Sequence, residues 1–415
     1  MSEPSDFHPS TLGEVSRPRQ WPTISQNVIE SAGLYPVYGA NGVIGFYIRY
    51  THDTPTVAIT CRGSTCGEVH LTPEKSYITG NAMALDDLDT SRLNQRYLYH
   101  YLKWDGLKDC VTGSAQPQII GSALKSFVVW HPESSEQNLI ATILDTLDTQ
   151  IQQTEALIAK LEKVKEGLLH DLLTRGIDEN GRLRPSPEQA PELYKESPLG
   201  LIPREWDVCT LSEIASTESG CTPSRSLSGR YFNEDGIPWV KTLDLNEGEI
   251  YKTKEAVTSA ALKECSFRLM PVNTVLIAMY GGWEQIGRTA ILKSQATTNQ
   301  AITSILCKGE VINPEFLLIA LQFLRPRWRK VAASTRKDPN ITSNDVRQFE
   351  VATPQRLKEQ SEIVYRLDTA SKKISSEVIY LEKLMQKKLG LMDDLLTGRV
   401  RVTPLLDQAQ ATTPA

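Results

Sequence analysis

The side chains best suited to chemistry in this sequence form a basic stretch between Leu324 and Arg347. The stretch holds seven arginine and lysine residues against two aspartates, a local net charge of +5, and one tryptophan, Trp328. Its candidates for ligand contacts are Arg327, Arg329, Lys330, Arg336 and Lys337. Arginine forks suit phosphates and base edges, and an aromatic ring can stack on a base, so the pattern indicates nucleic-acid binding. A charged face that only meets solvent is the other interpretation of the same residues.

Further basic candidates lie mostly beside glycines, where a backbone can approach a ligand closely. They are Arg62, Arg225, Arg230, Lys241 and Arg288. The first 135 residues carry 10 basic and 13 acidic side chains, so a binding surface there would depend more on neutral donors. The candidates for that role are Asn41, Asn81, Gln116 and Gln118. Turn formation is the competing explanation of all four.

Motifs for catalysis or metal binding are absent from the sequence. There is no phosphate loop, no HExxH, no GxSxG and no GxGxxG after a strand. The seven cysteines are an odd number without paired spacing, which favours reduced thiols. Cys61 and Cys66 form an isolated pair, whereas a zinc site needs four ligands. We therefore expect neither a metal site nor an autonomous enzyme.

The elements that must position these candidates are duplicated. Residues 136–174 align with residues 359–397 at a constant offset of 223 without a gap, and 16 of the 39 aligned positions are identical. Weaker matches continue upstream, at offsets that grow from 199 near Thr11 to 222 near Gln116. Small insertions in the second copy explain that growth. The order along the chain is therefore domain, helix, domain, helix.

The two repeated segments are predicted to be long helices that pack on each other. Apolar residues step by four and three along both segments, which is a heptad seam. The main seam positions are Ile140, Leu144, Leu147, Ile151, Leu161 and Leu168 in the first helix, and Ile363, Leu367, Ile374, Leu384 and Leu391 in the second. A 39-residue helix is about 58 Å long, so its own domain cannot cover it, and antiparallel packing of the two helices is favoured.

Polar residues interrupt both seams at equivalent positions. Thr154 and Glu377 form one such pair, and Lys165 and Lys388 form the other. A polar residue in a heptad seam can fix the register of the helices or face a partner, at a cost in stability. The same residues are also compatible with solvated edges of the seam.

The predicted fold class is α+β. We expect two mixed α/β domains, at 1–134 and 201–356, joined by two long antiparallel coiled-coil helices at 135–176 and 357–398 in a pseudo-twofold duplication. The intervening segment 177–200 is rich in proline and glycine and is expected to be an exposed linker. Residues 399–415 are expected to be a flexible tail.

Composition and charge limit the possible classes of protein. The 415 residues are 40% hydrophobic and 23% charged, as in an ordinary globular protein. The net charge of −5 argues against a protein that coats DNA or a membrane without specificity, although it permits a local basic groove. No apolar run is long enough for a membrane span and no signal peptide is recognisable, so a cytoplasmic location is expected.

Four segments resemble the specificity subunits of type I restriction-modification enzymes. They are YPVYGANGVIGFY at 35–47, TGSAQPQI at 112–119, SPLGLIPREWDVCTLSEIA at 197–215, and the paired helices that end in DLLT. The likeness extends over nearly the whole chain. No base-contacting residue carries over, because the recognition domains of this family vary widely.

The resemblance implies a function without catalysis in this chain. Each globular half would be a target recognition domain that reads one part of a split double-stranded DNA sequence, and the two helices would act as a spacer. The implied partners are two methyltransferase subunits docked on the helices, together with restriction subunits. No cofactor would be bound by this chain; the partners would use S-adenosylmethionine, ATP and Mg²⁺. The alternative is an orphan DNA-binding or assembly scaffold without an active restriction partner.

Overall fold

The structure is a computed structural model that describes residues 6–113, 116–265, 268–332 and 339–411. The chain forms two compact units. Unit 1 contains residues 1–158 and 377–415, and unit 2 contains residues 159–376. Two long helices, α4 (Ser134–Thr174) and α11 (Leu357–Leu396), contribute to both units. Each unit therefore combines one globular domain, the beginning of the helix that follows it and the end of the other long helix.

The first domain is built from short strands around three small helices. The strands are β1 (His8–Thr11), β2 (Arg17–Gln20), β3 (Tyr35–Gly39), β4 (Gly42–Tyr47), β5 (Val57–Thr60), β6 (Val69–Leu71), β7 (Tyr77–Ile78), β8 (Ala82–Asp86), β9 (Val111–Thr112), β10 (Gln118–Ile119) and β11 (Val128–His131). The helices are α1 (Leu12–Val15), α2 (Gln95–Asp105) and α3 (Gly121–Ser126). An antiparallel sheet has the strand order β2-β8-β5-β6, a second sheet has the order β4-β3-β7, and β1 pairs with β11.

Local sequence explains the main features of this domain. All four residues of β5 are buried, as expected for a central strand that is covered on both faces. Pro18 lies in β2, an edge strand, where a missing N–H donor can be tolerated. Gly45 has a φ of 145° beside a register shift in the β3–β4 hairpin, and a Cβ there would lie 2.6 Å from the Glu30 carbonyl oxygen. Glycine is therefore required at this bulge.

The second domain repeats this plan with longer connections. Its strands are β12 (Tyr194–Lys195), β13 (Ile202–Pro203), β14 (Trp206–Thr210), β15 (Ala215–Ser219), β16 (Phe232–Val240), β17 (Glu249–Ile250), β18 (Ala256–Val257), β19 (Val275–Ala278), β20 (Thr289–Leu292), β21 (Thr297–Thr298), β22 (Ile302–Cys307) and β23 (Glu350–Pro354). Its helices are α5 (Leu211–Ile214), α6 (Ser228–Tyr231), α7 (Ser259–Glu264), α8 (Pro314–Phe323), α9 (Trp328–Val331) and α10 (Ser343–Arg347). The central sheet has the order β15-β22-β19-β20-β17.

The two domains begin in the same way. The strand before the first helix of each domain pairs with the strand before the following long helix, β1 with β11 and β14 with β23. A capping box then starts the first helix: Glu14 accepts a hydrogen bond from the Thr11 N–H at 2.8 Å, and Glu213 accepts one from the Thr210 N–H at 2.7 Å. The duplication inferred from sequence is therefore a duplication of structure.

The long helices pack antiparallel within each unit, as predicted. In unit 1 the beginning of α4, with Ile140 and Leu144, shares a core with Leu395 near the end of α11. In unit 2 the end of α4, with Leu172, shares a core with Ile363 near the beginning of α11. Six of the predicted seam residues are buried, and Ile151, Leu161, Leu168, Ile374 and Leu391 are half-buried; the buried ones are Ile140, Leu144, Leu147, Ile363, Leu367 and Leu384.

The polar seam residue Lys388 joins the helices directly. The Lys388 ammonium of α11 forms an ion pair with Asp148 of α4, and Lys388 is largely buried. Thr154 instead donates a hydrogen bond to the Gln150 carbonyl of its own helix. The charged pair can form only when α4 and α11 have one register in unit 1, so Lys388 has the geometry of a register-fixing residue.

Two sequence-based expectations need correction. Segment 177–200 is not an exposed linker, because Ile177, Arg184 and Tyr194 are buried in unit 2 and β12 pairs with β13. Residues 399–402 are not a loose tail either, because Val402 is buried in unit 1 and a short helix, α12 (Thr403–Ala411), follows it. Proline and glycine content indicated irregular structure correctly, but irregular segments can still be packed. None of the helices in the described ranges has both the length and the apolar character that crossing a bilayer requires.

Candidate nucleic-acid interface

Three separate segments of the first domain meet at one edge. They are the hairpin turn at 40–41, the loop at 61–67 and residues 116–118. The Thr65 hydroxyl donates to the Ala40 carbonyl and lies 3.3 Å from the Asn41 side-chain oxygen. The Gly63 N–H donates to the Pro117 carbonyl at 3.3 Å. These contacts place three predicted candidates, Asn41, Arg62 and Gln116, on one surface.

We call the surface formed by Asn41, Arg62 and Gln116 the first recognition surface. It is exposed to solvent, and no carboxylate in the described residues neutralises its positive charge. All three side chains are exposed. A cavity of about 670 Å³ is lined by Arg62, Gly63, Ser64, Gln116, Pro117 and Gln118. Across the described residues, Arg62 forms no ion pair. The surface therefore presents a guanidinium and two amides, which are groups that can read base edges in a major groove.

The second domain builds an equivalent loop with different chemistry. The Ile341 N–H donates to the Met279 carbonyl at 3.1 Å, as the Ile119 N–H donates to the Cys61 carbonyl at the same distance in the first domain. The loop at 279–287 thus takes the place of the loop at 61–67. It exposes Trp283, whose exposed fraction is 46%. The exposed aromatic ring of Trp283 therefore takes the place of the Arg62 guanidinium of the first domain.

Trp283 was not predicted as a contact residue from the sequence, because most of the predicted candidates are cationic side chains. The signal was present as a tryptophan directly after two glycines and a buried strand. Arg325 secures the loop, because its guanidinium donates to the carbonyls of Glu284 at 2.6 Å and Ile286 at 3.3 Å. Since Arg325 also pairs with Glu247, it supports the loop and is not a free cation.

Trp328 does not face a ligand. Its side chain is 1% exposed, and its ring stacks on Phe349 with the ring centroids 3.9 Å apart. A Cβ at Gly287 would lie 2.4 Å from the Trp328 ring, so that glycine makes room for it. The interpretation of Trp328 as a base-stacking residue was therefore wrong, and Trp328 belongs to the core of unit 2.

The basic stretch around Trp328 is only partly described. Arg329 and Lys330 are exposed and Arg327 is half-buried, and a cavity of about 210 Å³ lies beside Arg327 and Lys330. In the part of the chain that the structure describes, these three cations have no ion-pair partner. The half-buried Arg288 has none there either. Arg336 and Lys337 lie outside the described residues.

Three other predicted cations are already paired with carboxylates. Arg225 and Lys241 both bind Glu255, with an Arg225 distance of 2.6 Å. The hydrogen bond from Lys241, supported by Arg225, lowers the pKa of Glu255 below its ordinary value. Arg230 donates two hydrogen bonds to Glu264 at 2.6 and 3.1 Å. These pairs reduce the positive potential that the three residues can offer to a phosphate.

Residues 4–163 and 203–383 match the model of a protein family described as the type I restriction modification DNA specificity domain. The chain belongs to this family. The two matches correspond to the two halves of the duplication, and the family supplies sequence recognition to type I restriction-modification complexes without catalysis of its own.

Known specificity subunits resemble this chain over most or part of its length. The MjaVIII specificity subunit of Methanocaldococcus jannaschii is 24% identical over 394 residues, which cover 91% of this chain and 88% of that protein. The EcoprrI specificity subunit of Escherichia coli is 31% identical over 143 residues, 34% of this chain and 35% of that protein.

Solved structures show the same fold. The crystal structure of the S subunit from M. genitalium superposes with a TM-score of 0.62 at 16% identity, covering 95% of this chain and 97% of that one. The HsdS subunit from Thermoanaerobacter tengcongensis gives a TM-score of 0.52 at 16% identity, with coverages of 96% and 99%.

Proposed function

We propose that this specificity subunit reads a split double-stranded DNA sequence, with one half-site read by each domain. The observation that carries the proposal is the pair of equivalent loops with unlike exposed chemistry. The loop at 61–67 offers Arg62, and the loop at 279–287 offers Trp283. A duplicated scaffold with different contact groups suits two unlike half-sites better than one palindromic site.

The first recognition surface would read bases directly. An arginine such as Arg62 can bind a guanine edge through two hydrogen bonds, and Asn41 or Gln116 can bind an adenine edge in the same way. Each good pair discriminates against the wrong base by about 1 to 3 kcal/mol. Arg327, Arg329 and Lys330 would mainly neutralise phosphates, which positions the duplex without specifying its sequence.

We also propose which partners this subunit binds. Two methyltransferase subunits would dock on α4 and α11, and restriction subunits would join that core in the cytoplasm. Leu157 and Tyr380 support the first part: they occupy the same repeat position at an offset of 223, and both are exposed, at 40% and 47%. Two identical partners would need such equivalent apolar contacts. This chain would bind no cofactor, and its partners would use S-adenosylmethionine, ATP and Mg²⁺.

Methylome sequencing tests the proposal directly. Cells that express this subunit with its methyltransferase subunit should gain one modified split motif, which cells without the subunit lack. Binding of the purified complex to that motif should weaken linearly in log affinity against log salt concentration. A complex that binds without salt dependence, or cells that gain no motif, would contradict the proposed function.

A further inference from the structure

A half-buried arginine, Arg401, joins three parts of unit 1 that are far apart in sequence. The Arg401 side chain donates to the Glu136 carboxylate at 2.9 Å through Nε and at 2.6 Å through Nη2. Its Nη1 donates to Asp6 at 2.8 Å. Glu136 is only 1% exposed and also accepts the Val402 N–H at 3.0 Å. Arg401 thus ties the start of the domain and the start of α4 to the segment after α11.

The same arrangement occurs in unit 2. The Arg184 side chain donates to the two Glu359 oxygens at 2.5 and 3.1 Å and to Glu205 at 2.8 Å. Glu359 is buried at the start of α11 and also accepts the Ile177 N–H at 2.9 Å. A Cβ at Gly176 would lie 2.5 Å from both Arg184 and Glu359, so a glycine is needed beside them.

The members of the two arrangements are equivalent in the repeat. Glu136 and Glu359 are related by the offset of 223, and Asp6 and Glu205 by the offset of 199. Arg184 and Arg401 each end an Arg-x-Arg sequence that follows the other domain's long helix. We call each set of two carboxylates and one arginine a clasp.

A glutamine next to each clasp glutamate extends the connection into the domain. Gln137 accepts the Asn94 N–H at 2.7 Å and donates to the Pro132 carbonyl at 2.8 Å. Gln360 accepts the Asn313 N–H at 2.8 Å and donates to the Pro354 carbonyl at 2.9 Å. The first turn of each long helix is therefore held both by its own domain and by the end of the opposing helix.

A gain in folding stability does not explain why these ion pairs occur in both units. The cost of removing two charges from water offsets most of their attraction, so buried ion pairs contribute little net stability. They do impose geometry, because an arginine fork accepts a carboxylate in few orientations. An arrangement that occurs in both units, with corresponding members, therefore points to orientation of the domain on the helices.

We propose that the clasps are positioning devices that hold each recognition domain at a fixed angle on the helix pair and so restrict the spacing of the two DNA half-sites. This inference rests on the proposed reading of a split sequence. One extra base pair displaces a half-site by about 3.4 Å and turns it by about 34°. A domain whose clasp is intact cannot rotate and shift to reach the displaced half-site, whereas a domain whose clasp is broken can.

The test measures spacing preference in the full complex with methyltransferase subunits. Once the motif is known, affinity is compared for duplexes with the natural gap and with a gap one base pair shorter or longer. For the unmodified complex we expect a preference for the natural gap of at least about tenfold, equivalent to about 1.4 kcal/mol. Glu136→Gln and Glu359→Gln keep the side-chain size and should reduce that preference to about threefold or less.

Three further comparisons separate positioning from general stability. A base substitution within either half-site should cost the Gln variants as much affinity as it costs the unmodified complex. Asp368→Asn is the matched control, because it breaks an exposed ion pair with Lys372 within α11 and should leave the spacing preference unchanged. Arg401→Lys keeps the charge without the fork and should give an intermediate preference.

Parallel loss of affinity for all three duplexes, with the spacing preference intact, would overturn the inference and leave the clasps as stability elements. An unmodified complex that binds no motif specifically would instead refute the proposed function, and the inference would fail with it. If Glu136→Gln does not yield a folded protein, Arg401→Lys and Glu359→Gln provide the same comparison.

Discussion

Removal of Arg184 should destabilise unit 2 far more than removal of an exposed cation. In Arg184→Met the Glu359 carboxylate stays buried and keeps hydrogen bonds from the Ile177 N–H and the Trp206 indole N–H, at 2.9 and 3.0 Å. The carboxylate loses the Arg184 guanidinium, which binds both of its oxygens. Breaking a buried pair in this way costs about 3 to 5 kcal/mol. The Arg356 guanidinium remains 3.6 Å away, so we expect the lower end, about 3 kcal/mol.

Differential scanning calorimetry and urea unfolding can measure this loss. Unit 2 spans residues 159–376, a size at which 1 kcal/mol shifts Tm by about 2 to 4 °C, so its transition should fall by about 6 to 12 °C. Adding Glu359→Gln removes the uncompensated charge and should restore at least half of the lost stability. Lys372→Met, which breaks an exposed pair, should cost less than about 0.5 kcal/mol.

The reasoning would be refuted by a loss below about 1 kcal/mol for Arg184→Met, since that is the range of exposed ion pairs. It would equally be refuted if Glu359→Gln failed to improve the Arg184→Met protein. Either result would mean that water reaches Glu359 and that the clasp is not a buried pair.

Other outcomes can be checked with the same preparations. Arg62→Ala should relax base preference in one half-site only, by about 1 to 3 kcal/mol at one base pair, and Trp283→Ala should affect only the other half-site, as methylome sequencing of each variant would reveal. Trp328→Ala should cost about 3 to 5 kcal/mol of unit 2 stability in urea unfolding, while the salt dependence of DNA binding by the folded fraction stays unchanged. Burial lowers the pKa values of three histidines of unit 1, namely His70, His100 and His131. Because the unfolded chain then binds more protons, unit 1 should lose up to about 1.4 kcal/mol of stability per pH unit for each histidine as pH falls from 6.5 to the lowered folded pKa. A stability of unit 1 in urea unfolding that does not fall with pH over this range would contradict this last expectation.

Sequence reasoning succeeded where the signal is periodic. The heptad seam and the offset of 223 predicted helices at 135–176 and 357–398, and the structure has them at Ser134–Thr174 and Leu357–Leu396. The antiparallel packing and the duplicated domains are confirmed as well. Such features depend on local repetition, which a single sequence records in full.

Sequence reasoning failed where the role of a residue depends on the direction of its side chain or on a contact with a residue far away in the chain. Trp328 stands among cations in the sequence, yet its ring points into the core against Phe349. Arg184 seemed to belong to a linker, because its partner Glu359 lies 175 residues further along the chain. The three clustered residues Asn41, Arg62 and Gln116 come from separate segments, so composition suggested each of them without showing that they meet.

The discontinuity of unit 1 has a consequence for synthesis of the protein. Unit 2 is formed by one continuous stretch, residues 159–376, and has all its parts when that stretch has left the ribosome. Unit 1 begins first but needs Arg401 to close its clasp with Glu136. The usual order, in which an N-terminal domain folds first during synthesis, is therefore reversed for the completed units. We expect a nascent chain interrupted before residue 401 to contain every part of unit 2, whereas its unit 1 lacks the arginine that closes the clasp.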